Sequence, residues 1–270
     1  LSIFLMLKSN GLIDFLKKVI HTILFNKSLI KSDYFIVNSE DTKKKLLNWI
    51  YKNNLINEGK IIVLHPLPSF NKLAISNFID FSNNIIDQRN IKSNQLNIIS
   101  ISGNSPSKRK EILVPIFEKL AFKNPDKIIN VSIFGTDLNL ENTRYSKNLK
   151  IRNFRNNVED KVLIETYINS HIYISTSSEE GFGIPFLDAI LFGCSCICSD
   201  IQVYKEIKEK YYKYNQNIFL VNSEDNIVNS FYKTLQSQFD NLDKINPKKR
   251  LQKYINNYKS IFDEHISLIK

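Results

Sequence analysis

From residue 96 onward the sequence alternates between short β-rich runs and helical segments, and this alternation restricts the chain to few architectures. Strands that alternate with helices indicate βαβ units, in which a parallel sheet carries helices on both faces. The fold class is therefore predicted to be α/β. The predicted strands are Leu96–Gly103, Asn130–Gly135, Asn148–Phe154, His171–Ser175, Cys194–Cys198 and Asn217–Val221. The predicted helices are Lys110–Phe122, Lys161–Ser170, Pro185–Phe192 and two closing segments at about 224–237 and 247–269.

The first part of the chain carries a shorter version of the same pattern. Leu12–Phe25 has apolar residues at helical spacing and is predicted to face a core; a basic helix at a membrane surface is the alternative. Ser32–Ser39 and Lys60–Leu64 are predicted strands, and Ser39 is a suitable N-cap for a helix over Lys43–Tyr51. Residues from about 66 to 95 are polar and irregular, which is typical of an interdomain linker.

The chain is basic, with 37 Lys and Arg against 27 Asp and Glu, a formal charge of +10. Such an excess suits nucleic acid, an anionic membrane surface or a phosphorylated ligand. The basic residues are spread out, so a compositional bias of the source explains the charge equally well. The 12 Tyr and 18 Phe fall in apolar strand and helix patterns. They do not interleave a basic face, and we therefore expect no nucleic-acid partner.

The three cysteines stand close together at Cys194, Cys196 and Cys198. On a strand all three would point to one face. A rigid strand would hold neighbouring thiols about 6–7 Å apart at Cα, too far to gather around one metal ion. An odd number of thiols cannot form a closed set of disulfides. We therefore predict small buried residues in a reducing compartment.

The most informative segment is the loop Ser175–Ala189, between a predicted strand and a predicted helix. Gly181 and Gly183 permit close approach of the backbone to a ligand. The proline that follows them suits a first helical turn, where N–H groups and the helix dipole attract phosphate. Glu180 and Asp188 flank this turn, so the two carboxylates could address different hydroxyl groups of one ligand.

This segment resembles the signature of the group-1 retaining glycosyltransferases, whose GT-B fold has two Rossmann-like domains. The family reads approximately E-G-F-G-L-P-x-x-E-A, followed by G-x-P-V-V-x-S-D-I. Here the matching residues are Glu180–Pro185, Asp188–Ala189, Gly193 and Ser199–Ile201. Asp188 replaces the usual Glu, and Ser195 stands where Pro is usual.

The resemblance implies catalytic roles for Glu180, which would meet the donor sugar or its phosphate, and for Lys110. Gly103–Lys110 resembles the family's phosphate-contacting G-R-x-x-x-x-x-K loop, in which cations face a leaving group that gains negative charge. Asn104 stands at the arginine position, and Arg109 or Lys108 are candidates to replace it. Asp188 would bind the nucleotide ribose. The full donor-binding set implied by the resemblance is Gly103, Asn104, Arg109, Lys110, Phe154, Asn156, Glu180, Gly181, Phe182, Gly183, Ile184 and Asp188.

The resemblance also implies a division of the chain. Residues 1–68 would be the C-terminal remnant of an acceptor-side domain, 69–95 a linker and 96–250 the donor-binding domain. Residues 251–270 would form a helix that packs back toward the N-terminal part. The region before the linker is too short for a complete acceptor-side domain. None of the four histidines stands in a recognisable version of that domain's site, so we expect a fragment that binds donor and turns over poorly alone.

The expected function is transfer of a hexose from a nucleotide diphosphate sugar to a glycan or lipid-linked acceptor, with retention of anomeric configuration. No metal or other cofactor is expected. The expected location is the cytoplasm, with peripheral contact to an anionic membrane at its inner face left open. The alternatives are a nucleotide-sugar epimerase of the same fold and a basic nucleic-acid-binding protein. A dinucleotide-dependent oxidoreductase is weaker, because no G-x-G-x-x-G follows the first strand.

Overall fold

The computed structural model describes residues 12–55, 59–69, 94–138, 146–155, 158–211, 217–222 and 226–240. The chain divides into two compact units, Leu1–Pro66 and Leu67–Lys270. Most of the predicted linker and the whole of the predicted helix over 247–269 lie outside the described residues.

The described residues of the first unit form two helices and a two-stranded parallel sheet. The backbone amide of Thr42 donates to Ser39 Oγ at 3.0 Å, which confirms Ser39 as an N-cap. Trp49 joins the two helices, because its ring contacts Phe25 and its Nε1 donates to Asn26 Oδ1 at 2.9 Å. The elements are α1 (Leu12–Lys31), β1 (Tyr34–Val37), α2 (Glu40–Lys52) and β2 (Lys60–Val63).

The second unit holds a six-stranded sheet that carries helices on both faces. Its strands are β3 (Gln95–Ile101), β4 (Ile128–Phe134), β5 (Leu149–Phe154), β6 (Ile172–Ser175), β7 (Ser195–Ser199) and β8 (Ile218–Val221). Its helices are α3 (Leu113–Lys123), α4 (Asp160–Asn169), α5 (Ile184–Leu191), α6 (Gln202–Tyr211) and α7 (Ile227–Asp240).

All neighbouring strands of this sheet run parallel, in the order β5-β4-β3-β6-β7-β8. This is the doubly wound order, and it confirms the predicted α/β class. The order reverses between β3 and β6. Ligands of such sheets bind beyond the carboxyl ends of the strands at this reversal. The loops that follow β3 and β6 are therefore the expected ligand-binding region.

The core consists of two hydrophobic clusters separated by the sheet. Cys194, Cys196 and Cys198 belong to one cluster, whereas Ile197 belongs to the other. All three are buried, and none of them forms a disulfide within the described part of the chain. Cys196 and Cys198 fill one face of the buried strand β7, as predicted, whereas Cys194 precedes the strand and packs into the same cluster.

One predicted helix start was wrong, and one helix was not predicted. The helix expected from Lys110 begins at Leu113, because Arg109 takes a left-handed conformation (φ 45°) and a 3₁₀ turn over Lys110–Ile112 follows it. The helix α6 was not predicted. Its sequence is dominated by charged residues, and its buried side is narrow.

Candidate functional site

Asn104 connects the loop after β3 with the loop after β4. Its Oδ1 accepts hydrogen bonds from Thr136 Oγ1 at 3.1 Å, from the Asp137 amide at 3.0 Å and from Lys110 Nζ at 2.9 Å. Lys110 Nζ also donates to the Asp137 carbonyl oxygen at 2.9 Å. The side chain at the family's arginine position thus holds two loops together and orients the lysine beside them.

Close contact between the ends of β3 and β4 requires the glycine at the end of β4. Gly135 has φ +76°, and a Cβ there would lie 2.5 Å from the Ser102 carbonyl oxygen. Only a residue without a side chain fits this position. The backbone after β4, at Gly135, can therefore lie directly against the backbone after β3, beside Gly103, at the carboxyl edge of the sheet.

Arg109 binds backbone and side-chain oxygens at the ends of β6 and β7. Its Nε donates to the Thr176 carbonyl at 2.6 Å, and its Nη2 donates to Ser199 Oγ at 2.7 Å and to the Ser177 carbonyl at 3.3 Å. Partial burial lowers the pKa of the guanidinium from its ordinary value, and the nearby carboxylate of Glu111 opposes that shift. Arg109 therefore links three loops of the site.

Glu180 lies in the loop after β6 and faces a lysine from the loop after β3. Lys108 Nζ lies 2.6 Å from Glu180 Oε1, and the side chains are 24% and 15% exposed, respectively. The two loops are also joined along the backbone, since the Ser178 amide donates to the Ser107 carbonyl at 2.7 Å. The fold thus brings the predicted acidic residue and the cationic loop into direct contact, although they are 72 residues apart.

Helix α5 begins with two of the predicted donor-binding residues. Gly183 is its N-cap in a left-handed conformation (φ 89°), Ile184 is its first residue, and Pro185 lies in its first turn, as predicted. Gly181 lies two residues before this N-cap, and the Phe182 between them is only 3% exposed and packs into the core. The side chain of Phe182 therefore supports the loop rather than reaching into solvent.

Asp188 lies in the second turn of α5 and is 3% exposed. Burial raises the pKa of its carboxyl group to about 7, and hydrogen bonds from the backbone and the side chain of Ser69 offset part of that rise. The two flanking carboxylates thus differ in environment: Glu180 has a cationic partner, and Asp188 has a backbone amide.

The end of β5 contributes an aromatic ring. Phe154 stacks on Phe134 with centroids 4.4 Å apart and an interplanar angle of 6°. Its ring is half-buried and packs against the core cluster. Asn156, the other residue predicted from this loop, lies outside the described residues.

The family model described as "Glycosyl transferases group 1" matches residues 81–259, which is more than half of the chain. The chain belongs to this family. The match contains every residue of the candidate site described above except Ser69.

Similarity to individual group 1 glycosyltransferases and related proteins is limited in sequence or in length. The serotype-specific mannosyltransferase WbdA of Escherichia coli is 38% identical over 55 residues, which is 20% of this chain and 7% of that protein. The α,α-trehalose 6-phosphate synthase of Burkholderia multivorans superposes with a TM-score of 0.61 at 11% identity, covering 93% of this chain and 60% of that chain. The pneumococcal O-GlcNAc transferase GtfA, in complex with UDP and GlcNAc, gives a TM-score of 0.51 at 16% identity, covering 85% and 45%. This chain therefore spans less than two thirds of each, and the two structures establish the GT-B fold.

Two contributors to the site were missed or underrated in the sequence. Lys108 was considered only as a replacement for the arginine. Tyr204, whose hydroxyl donates to Glu180 Oε1 at 3.4 Å, was not considered because its helix was not predicted. The available signal was the apolar spacing of Val203 and Ile207 beside that tyrosine, all of which are buried. Among the described helices of this group 1 glycosyltransferase, none is long and apolar enough to cross a membrane.

Proposed function

We propose that this chain forms the donor-binding half of an enzyme that transfers a hexose from a nucleoside diphosphate sugar to a glycan or lipid-linked acceptor. The observation that carries the proposal is the meeting of Lys108 and Glu180 where the strand order reverses. A nucleotide sugar needs positive charge for its diphosphate and acceptor groups for its sugar hydroxyls. These two loops supply both.

The roles follow from the charges and contacts of the loops. Lys110 and Lys108 would neutralise the diphosphate, whose negative charge grows as the glycosidic bond breaks. Glu180 would accept hydrogen bonds from hydroxyl groups of the hexose, and the backbone from Gly181 to Ile184 would contact sugar and phosphate. Neutralisation is thus assigned to side chains rather than to a metal ion.

The remaining residues of the nucleotide-sugar site are assigned by their position around Lys108 and Glu180. Asp188 would accept a hydrogen bond from a ribose hydroxyl, and the segment from Phe154 to Asn156 would lie along the base. Gly103 and Asn104 would shape the phosphate loop. Arg109 would hold that loop in place, since its described hydrogen bonds are to protein oxygens.

A calorimetric titration with UDP, GDP, ADP and their hexose conjugates tests this proposal. One nucleotide should bind, and its hexose conjugate should bind more tightly. Lys110→Ala should weaken both ligands, whereas Glu180→Gln should weaken the conjugate selectively. Lys123→Ala, a change to an exposed lysine at the end of α3, is the matched control. No binding of any nucleotide at millimolar concentration would overturn the proposal.

Retention of anomeric configuration is the stereochemical part of the proposal and rests on the family signature. Proton NMR of the product formed by the complete enzyme with the donor identified above would measure it. A product whose anomeric configuration is opposite to that of the donor would contradict retention while leaving the donor site intact.

We also propose peripheral contact of the first unit with an anionic membrane at the cytoplasmic face, through α1. This helix exposes Val19, Ile20, Ile23 and Leu24 in succession along its length, and it ends in a lysine. Apolar side chains beside cations suit the boundary between headgroups and acyl chains. Sedimentation with phosphatidylglycerol vesicles should capture the chain, and Ile20→Asp with Leu24→Asp should release it. Tyr51→Asp, at an exposed position of α2, is the control. Equal capture of wild type and both variants would reject the contact.

A further inference from the structure

Tyr204 lies beneath the Glu180 loop and is completely buried. Its hydroxyl lies 2.9 Å from Ser175 Oγ and donates to Glu180 Oε1 at 3.4 Å. A carboxylate only accepts hydrogen bonds, so the phenolic proton points to Glu180, and the phenolic oxygen also lies within hydrogen-bond distance of the Ser175 hydroxyl. A chain of two hydrogen bonds thus connects the end of β6 with the carboxylate.

The ring of Tyr204 packs on the start of α5. It lies 4.8 Å, centroid to centroid, from the ring of Phe186. A Cβ on Gly183 would lie 2.6 Å from Tyr204 Cε1, so the ring is in direct contact with the backbone of the helix N-cap. The same side chain therefore contacts the strand, the acidic loop and the helix that surround the proposed sugar site.

Two groups hold the same oxygen of Glu180. Lys108 Nζ lies 2.6 Å from Oε1, and the Tyr204 hydroxyl reaches that atom as well. Within the described part of the chain, Oε2 accepts no hydrogen bond. One carboxylate oxygen is thus held by the protein, and the other can accept a hydrogen bond from a ligand.

We propose that Tyr204 is a positioning residue for Glu180. With Lys108 it anchors Oε1, so that Oε2 accepts a hydrogen bond from a hydroxyl group of the donor hexose. This inference rests on the proposed function, because it deepens the role of Glu180 in the same site. Preorganisation is its physical basis: a buried ring with a satisfied hydroxyl limits the rotamers of the carboxylate before the sugar arrives.

The test is Tyr204→Phe, which keeps the ring against Phe186 and Gly183 and removes only the hydroxyl. The measurement is the ratio of the dissociation constants for the nucleoside diphosphate and for its hexose conjugate. We expect Tyr204→Phe to weaken the conjugate about five- to tenfold, the size of one hydrogen bond, and to leave the nucleotide unchanged. In a Glu180→Gln background, Tyr204→Phe should have no further effect on the ratio.

Tyr167→Phe is the matched control. Tyr167 is equally buried, and its hydroxyl donates to the Pro185 carbonyl oxygen at 3.0 Å, also at the start of α5. Its loss should lower stability without changing the ratio. A Tyr204→Phe variant whose ratio equals that of wild type, or that loses nucleotide and conjugate affinity in equal measure, would overturn the positioning role and leave the proposed function standing. A wild-type chain that binds neither ligand would overturn the proposed function, and the inference with it.

Discussion

The backbone amide of Ser69 donates a hydrogen bond to Oδ1 of Asp188 at 2.8 Å, although the two residues are 119 positions apart in the sequence. Ser69 and Asp188 belong to the same compact unit. The backbone amide and the side chain of Ser69 give this buried carboxylate neutral donors, and its described hydrogen bonds include no cation. This environment makes the protonation of Asp188 sensitive to conditions near neutral pH.

Stability should fall as the pH rises from about 4 to 7, through Asp188. Burial raises the pKa of its carboxyl to about 7 in the folded chain, so the folded state keeps a proton that the unfolded state releases. Because the folded state binds more protons over this range, rising pH favours unfolding. At about 1.36 kcal/mol per unit of pKa difference, the free energy of unfolding should be lower by up to about 4 kcal/mol above pH 7. Urea unfolding at pH 5, 6, 7 and 8 measures the slope.

The variant Asp188→Asn should flatten that slope and be more stable than wild type at pH 8. Asp126→Asn, at an exposed position between α3 and β4, is the control and should leave the slope unchanged. Equal slopes in wild type and Asp188→Asn would show that the carboxyl is not the titrating group.

Nucleotide affinity should depend on pH in the opposite direction. If Asp188 accepts a hydrogen bond from a ribose hydroxyl, the ligand favours the deprotonated carboxylate. Affinity should then rise about tenfold between pH 6 and 8, since each unit below the pKa reduces the charged fraction about tenfold. Calorimetry on wild type and Asp188→Asn separates this effect from titration of the nucleotide, which both proteins share. A rise of the same size in both would exclude Asp188 as the acceptor.

Replacing Arg109 with Lys should lower the free energy of unfolding by about 2–3 kcal/mol. Hydrogen bonds to a charged group are each worth about 1.5–3 kcal/mol, and a lysine cannot reproduce the planar, forked set of donors of a guanidinium. Arg109 donates to oxygens of Thr176, Ser177 and Ser199. Arg152→Lys, at an exposed position of β5, should change stability little. Urea unfolding compares the two, and equal stability of the two variants would refute the linking role of Arg109.

Gly183→Ala should be strongly destabilising, whereas Gly103→Ala should be mild. At Gly183 the backbone is left-handed (φ +89°) and a Cβ would lie 2.6 Å from Tyr204 Cε1. At Gly103 a Cβ would meet only the side chain of Lys108, at 3.9 Å. Thermal unfolding of the two variants measures the difference, which should exceed about 2 kcal/mol because positive φ and overpacking add. Similar melting temperatures would contradict the described geometry of the α5 start.

Much of the fold could be predicted from the sequence because it depends on the local spacing of apolar and polar residues. The alternation of Leu96–Gly103 and its successors with helical segments predicted the parallel sheet. Cys196, Ile197 and Cys198 alternate between the two core clusters because of the pleat of a strand. Helix α6 was missed because its buried side comprises few residues among many charges. Val203, Tyr204 and Ile207 do keep helical spacing, but three apolar residues among so many charges were too few to predict a helix, and packing in the core decides the structure.

The sequence alone determined the fold class, the residues of the loop from Glu180 to Asp188 and the basic character of the loop after β3. It did not determine which lysine faces Glu180, that Asn104 and Arg109 bind other loops, or that Tyr204 reaches the same carboxylate. Those contacts join residues from 24 to 90 positions apart. The physical reason is that the sequence gives the type of each side chain but not its distance from residues far along the chain. Distance and burial set the hydrogen bonds and the pKa of Asp188. They are fixed only when the strand order brings separate loops to one edge of the sheet.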